Sequence, residues 1–167
     1  MIARSVLTSI AGVAVGLLLS IGIGFAVPFD PEVYEIASRA SVKYTDLVVA
    51  IAAGAAGALA VTTGVSASLI GVMVAVALVP PLVATGLFLG QGDFTSATMS
   101  ALLLASNIVC VNLAGVGVFL AQGIRPSRWA EKSRAKLAVR HALIVWLLLL
   151  TALVVLIAYA VPKSPLN

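Results

Sequence analysis

Charged side chains are scarce in this chain of 167 residues. Asp, Glu, Lys and Arg together make up 10% of it, hydrophobic residues make up 62%, and the mean hydropathy is +1.18. Soluble domains carry about 25% charged residues, so this composition excludes an ordinary soluble domain. The sequence instead predicts an all-α integral membrane protein, because its apolar runs have the length of membrane-spanning helices.

Cysteine and histidine are nearly missing. The single cysteine, Cys110, excludes an internal disulfide and is too few for a metal site built from cysteines. The single histidine, His141, lies at the basic end of the last apolar run, and one histidine cannot supply a metal cluster or a bis-histidine haem site. We expect no metal and no cofactor.

Ionisable side chains are also missing from the middle of every apolar run. A rotary carboxylate, a paired-aspartate protease, a carboxylate proton relay and a Schiff-base lysine therefore have no candidate residue. The serines lack a base in any pattern that suits nucleophilic hydrolysis. We expect that the protein is not an enzyme, and we assign no catalytic residue.

Long apolar runs are abundant. About 20 residues of α-helix cross a bilayer core, and five runs have about that length, over residues 6–27, 47–63, 67–89, 94–121 and 142–161. Asp30 and Pro31 are typical of a helix start, and the pattern that follows predicts a short amphipathic helix on the membrane surface. We predict a single transmembrane helical domain over residues 1–167 with about five spans.

Lysine and arginine are distributed unevenly between the connections. With five spans, seven basic residues fall on the amino-terminal side and three on the other side, which favours a cytoplasmic amino terminus. Six of the seven lie in the basic loop, residues 122–140: Arg125, Arg128, Lys132, Arg134, Lys136 and Arg140. We interpret them as topology anchors at the lipid surface, and we expect no nucleic-acid partner because no nucleic-acid-binding fold accompanies them.

Glycine and alanine recur at helical spacing in the first and second predicted spans. Lipid supplies no hydrophobic force between helices, so small side chains that allow close backbone approach mark the packing faces. The second span, which contains IAAGAAGALA, should be the most buried helix. Our candidate packing residues are Gly12, Gly16, Ala50, Gly54, Gly57 and Ala58. Packing within the chain and self-association remain alternatives here, and we expect a homo-oligomer in the lipid bilayer.

Two adjacent prolines interrupt the third span in the stretch VALVPPLVAT. Pro80 and Pro81 lack the amide protons that would bond to the carbonyls of Val76 and Ala77, so we predict a broken third helix. Carbonyls without partners cannot face hydrocarbon, so they must face protein or a wet cavity. The alternative is a proline kink that only shapes the helix.

The fourth span carries polar residues on one face. Ser96, Ser100, Asn107 and Cys110 share that face at helical spacing, whereas Asn112 points elsewhere. Counting residues places Asn107 near the depth of the prolines, where transporters commonly place their sites. The candidate solute or ion path is Val76, Ala77, Pro80, Pro81, Ser100 and Asn107. The alternative for Asn107 is an asparagine that only bridges helices.

Three segments carry a family resemblance: DLVVAIAAGAAGALA, GVMVAVALVPPLVATGLFLGQGDF and ALLLASNIVCVNLAGVGVFL. In order and spacing they closely resemble the prokaryotic uncharacterised hydrophobic domain called domain of unknown function 389. The resemblance implies a multi-pass protein of a bacterial or archaeal cell (inner) membrane. Family members often carry upstream hydrophobic segments with a proline-rich stretch that is not found here. We therefore expect either a short member of the family or a piece of a longer one, in both cases without the upstream helices.

Two functions from different classes fit these patterns. The first is a membrane transporter or channel for an unidentified small ion or polar solute. The second is a structural or sensory membrane module that assembles with itself or with partner subunits. The sequence slightly favours the first, because a proline pair, an amide side chain and a wall of small residues fall at one depth.

Overall fold

The computed structural model describes residues 2–27, 36, 38–123, 140, 144–152 and 154–155. All regular structure in these residues is helical, which confirms the predicted all-α class. The long helices are α1 (Ile2–Ala26), α2 (Tyr44–Thr62), α3 (Ala67–Gln91) and α4 (Phe94–Ala121), and a 3₁₀ turn covers Ser38–Ala40.

Four helices of the described part are long and apolar enough to cross a membrane. Their candidate spans are Leu7–Ala26, Tyr44–Thr62, Ala67–Gln91 and Phe94–Ala121. The length and composition of these four helices confirm the prediction of a multi-pass, membrane-embedded helical protein. The fifth span stays a prediction: residues 144–152 and 154–155 are helical, and the rest of 142–161 lies outside the described residues.

The segments between the spans are described only in part. Ile36 is helical, whereas the rest of the predicted surface helix before the 3₁₀ turn lies outside the described residues. The basic loop lies outside them as well, except for its two ends, the turn at residues 122–123 and Arg140, which is helical and exposed.

Helix α3 continues through its prolines, which corrects the predicted break. Pro80 and Pro81 lie inside one helix that runs from Ala67 to Gln91. Each proline removes one donor, but the turns before and after the pair keep their own bonds. Unwinding in lipid would expose more backbone groups without water to bond them, so the helical path is the less costly solution.

The turn between α3 and α4 is tight. Gly92 has φ +79°, and its amide donates to Leu89 O at 3.1 Å while the Asp93 amide donates to Phe88 O at 3.0 Å. These two bonds end α3 in a Schellman motif, which needs a left-handed residue such as glycine. Asp93 Oδ1 then accepts from the Ser96 amide at 3.0 Å and caps α4, as the sequence predicts.

The chain forms two compact units, and two of the three boundaries between them fall inside helices. Unit 1 comprises Met1–Lys43 and Leu78–Leu104, and unit 2 comprises Tyr44–Ala77 and Ala105–Asn167. Helices α3 and α4 therefore each contribute one part to either unit. The predicted single domain over residues 1–167 stays a prediction.

In unit 1, α1 packs closely on the second half of α3. A Cβ atom added to Gly24 would lie 2.9 Å from Leu87 Cα, and one added to Gly90 would lie 2.7 Å from Phe25 N. Gly16 contacts Leu82, whereas Gly12, the other predicted packing residue of α1, has open space around it. The tight face of α1 thus begins at Gly16 and continues toward Gly24.

In unit 2, α2 packs on α4 through small residues. Ala50, Gly54, Gly57 and Ala58, the four packing residues predicted in α2, are all buried. A Cβ atom added to Gly54 would lie 2.7 Å from Val111 Cα, which leaves no room for any side chain. Among the four described spans α3 is the most buried, however, with 39% of its most apolar part buried against 28% for α2. The prediction that α2 is the most buried helix is therefore wrong.

Candidate polar site at mid-helix

Asn107 is buried near the middle of α4. About 13 residues separate it from either end of the helix, or about 20 Å at 1.5 Å per residue. Its side chain is 4% exposed. Ala77, also 4% exposed, lies in the central part of α3. An amide in this position is far from both membrane surfaces if α4 spans the bilayer.

The Asn107 amide group donates from Nδ2 to the carbonyl oxygen of Ala77 at 2.8 Å. This carbonyl is one of the two that lose their helical donor, because Pro81 has no N–H. The side chain of one helix therefore replaces a backbone bond that proline removes from the other. The bond also fixes the orientation of the amide, since only its nitrogen can donate to a carbonyl.

The other end of the same amide has no partner. Asn107 Oδ1 is the one buried side-chain nitrogen or oxygen without a hydrogen bond among the described residues. A buried acceptor without a donor costs about 1–3 kcal/mol in soluble proteins. Asn107 thus satisfies the Ala77 carbonyl and leaves an unpaired acceptor of its own in an apolar interior.

The surroundings of the pair are apolar. Ala77 belongs to a buried cluster with Ala50 and Cys110, and Cys110 follows Asn107 by one helical turn. Partly buried side chains that pack on this cluster are Leu47, Ala53, Val111 and Leu150. Low polarity strengthens the Asn107–Ala77 bond and raises the cost of the unpaired oxygen.

Other predicted path residues lie in different settings. The Val76 side chain is 63% exposed on the outer face of α3, so only its carbonyl remains a candidate. Pro81 is buried in unit 1, where Pro80 is half-buried. Ser100 is fully buried, and its hydroxyl donates to Arg39 O at 2.9 Å. The structure thus brings Asn107 and Ala77 together, and it gives Ser100 a partner of its own.

The polar face of α4 is seen in the burial pattern. Ser100, Asn107 and Cys110 are buried and Ser96 is half-buried. Asn112 is exposed and donates to Ile108 O of its own helix at 2.8 Å. Asn112 therefore needs no partner helix for its amide nitrogen.

Sequence reasoning missed three buried hydroxyl residues. Thr85 donates to Pro81 O at 2.7 Å, Ser20 donates to Gly16 O at 2.8 Å, and Ser106 is 1% exposed beside Asn107. The spacing of four from Thr85 to Pro81 was a usable signal, because Ser and Thr bond to the carbonyl four residues earlier. Among the described residues, no three His, Cys, Asp or Glu side chains lie together as metal ligands would.

Comparison with known proteins gives a family and one relative. The family model described as domain of unknown function DUF389 matches residues 1–113. An uncharacterized protein of Methanocaldococcus jannaschii is 33% identical over 156 residues, which are 93% of this chain and 49% of the relative. The chain thus spans about half the length of this curated relative. No solved structure matches the chain.

Proposed function

The chain belongs to the DUF389 family, and we propose that it works as a channel or secondary transporter for a small ion or polar solute. The path residues that we propose from the sequence are Val76, Ala77, Pro80, Pro81, Ser100 and Asn107. Ala77 and Asn107 carry the structural argument. The proposal also includes a prokaryotic inner membrane, a cytoplasmic amino terminus, and the absence of enzymatic activity and of a nucleic-acid partner.

The unpaired Oδ1 atom of Asn107 is the observation that supports transport. A purely structural role accounts for the Nδ2 atom, because this nitrogen donates to the carbonyl of Ala77, which Pro81 leaves without its helical donor. It does not explain Oδ1, which is buried at mid-helix without a donor. A solute that crosses at this depth would supply the donor or the positive charge, as in transporters whose sites lie near the bilayer midplane.

The experiment compares variants that separate the site from the architecture. Asn107→Leu alone removes both ends of the amide and leaves the Ala77 carbonyl without its donor. Pro81→Ala restores the backbone N–H that can bond to this carbonyl inside α3. The double variant Asn107→Leu, Pro81→Ala therefore keeps the carbonyl paired while it removes the amide and its unpaired oxygen. Asn112→Leu is the matched control, because Asn112 is an exposed asparagine in the same helix.

Purified proteins in liposomes are tested for flux of a panel of ions and small polar solutes. We expect flux from the wild type and the Asn112→Leu control. We expect the double variant to be as stable as the wild type and to have lost the flux. Full flux in the double variant would show that Asn107 only holds α3, and an inactive wild type would overturn the transport proposal.

A membrane module that assembles with itself is the second candidate. Gly12, Gly71, Gly115 and Gly117 have no heavy atom within 4 Å of an added Cβ, so α1, α3 and α4 each present smooth surface that no described neighbour covers. Such surfaces suit another helix at close range. Light scattering in mild detergent, corrected for bound detergent, measures the mass of the protein assembly and so its number of subunits. A multimer without flux favours this candidate, whereas a monomer that also fails to crosslink in membranes argues against it.

A further inference from the structure

We infer that the site at Asn107 selects monovalent cations, of the K⁺ or ammonium type, over anions and over divalent cations. This inference rests on the proposed transport function and names its substrate class. It follows from three properties: which atom of the amide is unpaired, which charges the surrounding segment carries, and which oxygens are present as ligands.

The first property is that the unpaired atom of the amide is an acceptor. One N–H of Asn107 Nδ2 is bonded to Ala77 O at 2.8 Å, which fixes the position of the amide. Its Oδ1 atom has lone pairs and no donor. A ligand at this atom must therefore bring positive charge or an N–H or O–H group.

The second property is the charge of the segment that contains the site. Residues 44–124, which include α2, α3 and α4, contain no lysine, arginine or histidine and only two acids, Asp46 and Asp93. The whole chain nevertheless has a net charge of +4. An anion at mid-helix would meet no positive side chain of this segment, although anion pathways are usually lined by Arg or Lys.

The third property is that residues 44–124 place no carboxylate near the middle of their helices. The acids Asp46 and Asp93 lie in the first turn of α2 and directly before α4, about 7 and 14 residues from the middle of their helices. Mg²⁺ and Ca²⁺ bind through carboxylates and hold their water tightly. Amide and backbone carbonyl oxygens alone suit a weakly hydrated monovalent cation, as in potassium pathways.

The test has a binding arm and a flux arm. In the binding arm, the melting temperature of the detergent-solubilised protein is measured in chloride salts of K⁺, ammonium, Mg²⁺ and choline, and in potassium gluconate. A cation that binds the folded state raises the melting temperature. We expect K⁺ or ammonium to raise it above choline in wild type and Asn112→Leu, and to have no such effect in the Asn107→Leu, Pro81→Ala variant.

In the flux arm, the same salts are tested in liposomes. We expect monovalent cation flux that falls at least about tenfold in the double variant, because a hydrogen bond or ion contact to a charged group is lost. Flux of chloride alone, or of Mg²⁺ in preference to K⁺, would overturn the cation class and leave transport standing. No flux of any solute would overturn the proposed function, and no cation-dependent melting would overturn the assignment of the site.

Discussion

At the scale of single residues, the sequence places the freed carbonyl and Asn107 at one depth. Counting along two helices is enough for this, because helical rise is constant. The unpaired Oδ1 atom could not be predicted, since the orientation of an amide depends on a donor or acceptor 30 residues away. The open space around Gly12 could not be predicted either. Small residues four positions apart identify a smooth helix face, but not whether a neighbouring helix covers it.

A glycine pair tests the close contact of α2 with α4. Gly54→Ala would place a methyl group 2.7 Å from Val111 Cα, so the helices must separate and the melting temperature should fall, at a cost of about 1–3 kcal/mol. Gly12→Ala, in open space, should leave it unchanged or raise it, because alanine favours helix. Thermal unfolding followed by circular dichroism in detergent measures both. Equal behaviour of the two variants would contradict the close contact.

At the scale of elements, the turn residues predict the connection between α3 and α4 correctly, whereas the proline pair predicts a break in α3 that the structure does not have. Gly92 and Asp93 predict the connection between α3 and α4 because a left-handed glycine and a capping carboxylate have direct geometric roles. Pro80 and Pro81 predict a break only because each proline removes a backbone hydrogen bond from the helix. The structure keeps α3 continuous, since the partner helix supplies Asn107 as a donor, and a partner of this kind is not visible within the α3 sequence.

The cap of α4 gives a pH dependence. Hydrogen bonds from Ser96 hold the pKa of Asp93 below its ordinary value of 3.8. The folded protein therefore binds this proton less readily than the unfolded chain, so the stabilisation is present at neutral pH and is lost as the pH falls through the lowered pKa. Replacement by alanine should cost about 1 kcal/mol at neutral pH.

Asp93→Asn is the control for that pH dependence, because asparagine also caps helices but does not titrate. The melting temperature of the wild type, measured from pH 6 down to about pH 3, should fall more steeply than that of Asp93→Asn. Parallel curves for the two proteins would show that the carboxylate of Asp93 contributes nothing to the acid response.

At the scale of the whole molecule, composition alone predicts a multi-pass helical membrane protein, and the four apolar helices confirm it. Hydropathy is sufficient for this because lipid requires long apolar helices. The two compact units were not predicted. Two of their three boundaries, after Ala77 and after Leu104, fall within α3 and α4, and apolar composition does not change there.

Labelling measures whether α3 crosses the membrane and in which direction. In a Cys110→Ser background, single cysteines replace Ser66, just before α3, and Thr95, in the first turn of α4, both of which are exposed. If the amino terminus is cytoplasmic, Ser66→Cys should react from the cytoplasmic side and Thr95→Cys from the outside. Reaction of both from one side would contradict the crossing, and exchange of the two sides would reverse the orientation.

The proline-freed carbonyl of Ala77 also constrains how the chain is built into a membrane. Its donor, Asn107, is synthesised 30 residues later, so α3 leaves the ribosome before this carbonyl can be paired. The short turn at Gly92 and Asp93 keeps α4 directly behind it. Partition of α3 into lipid ahead of α4 would carry an unpaired carbonyl into hydrocarbon. We therefore expect α3 and α4 to enter lipid together as one hairpin.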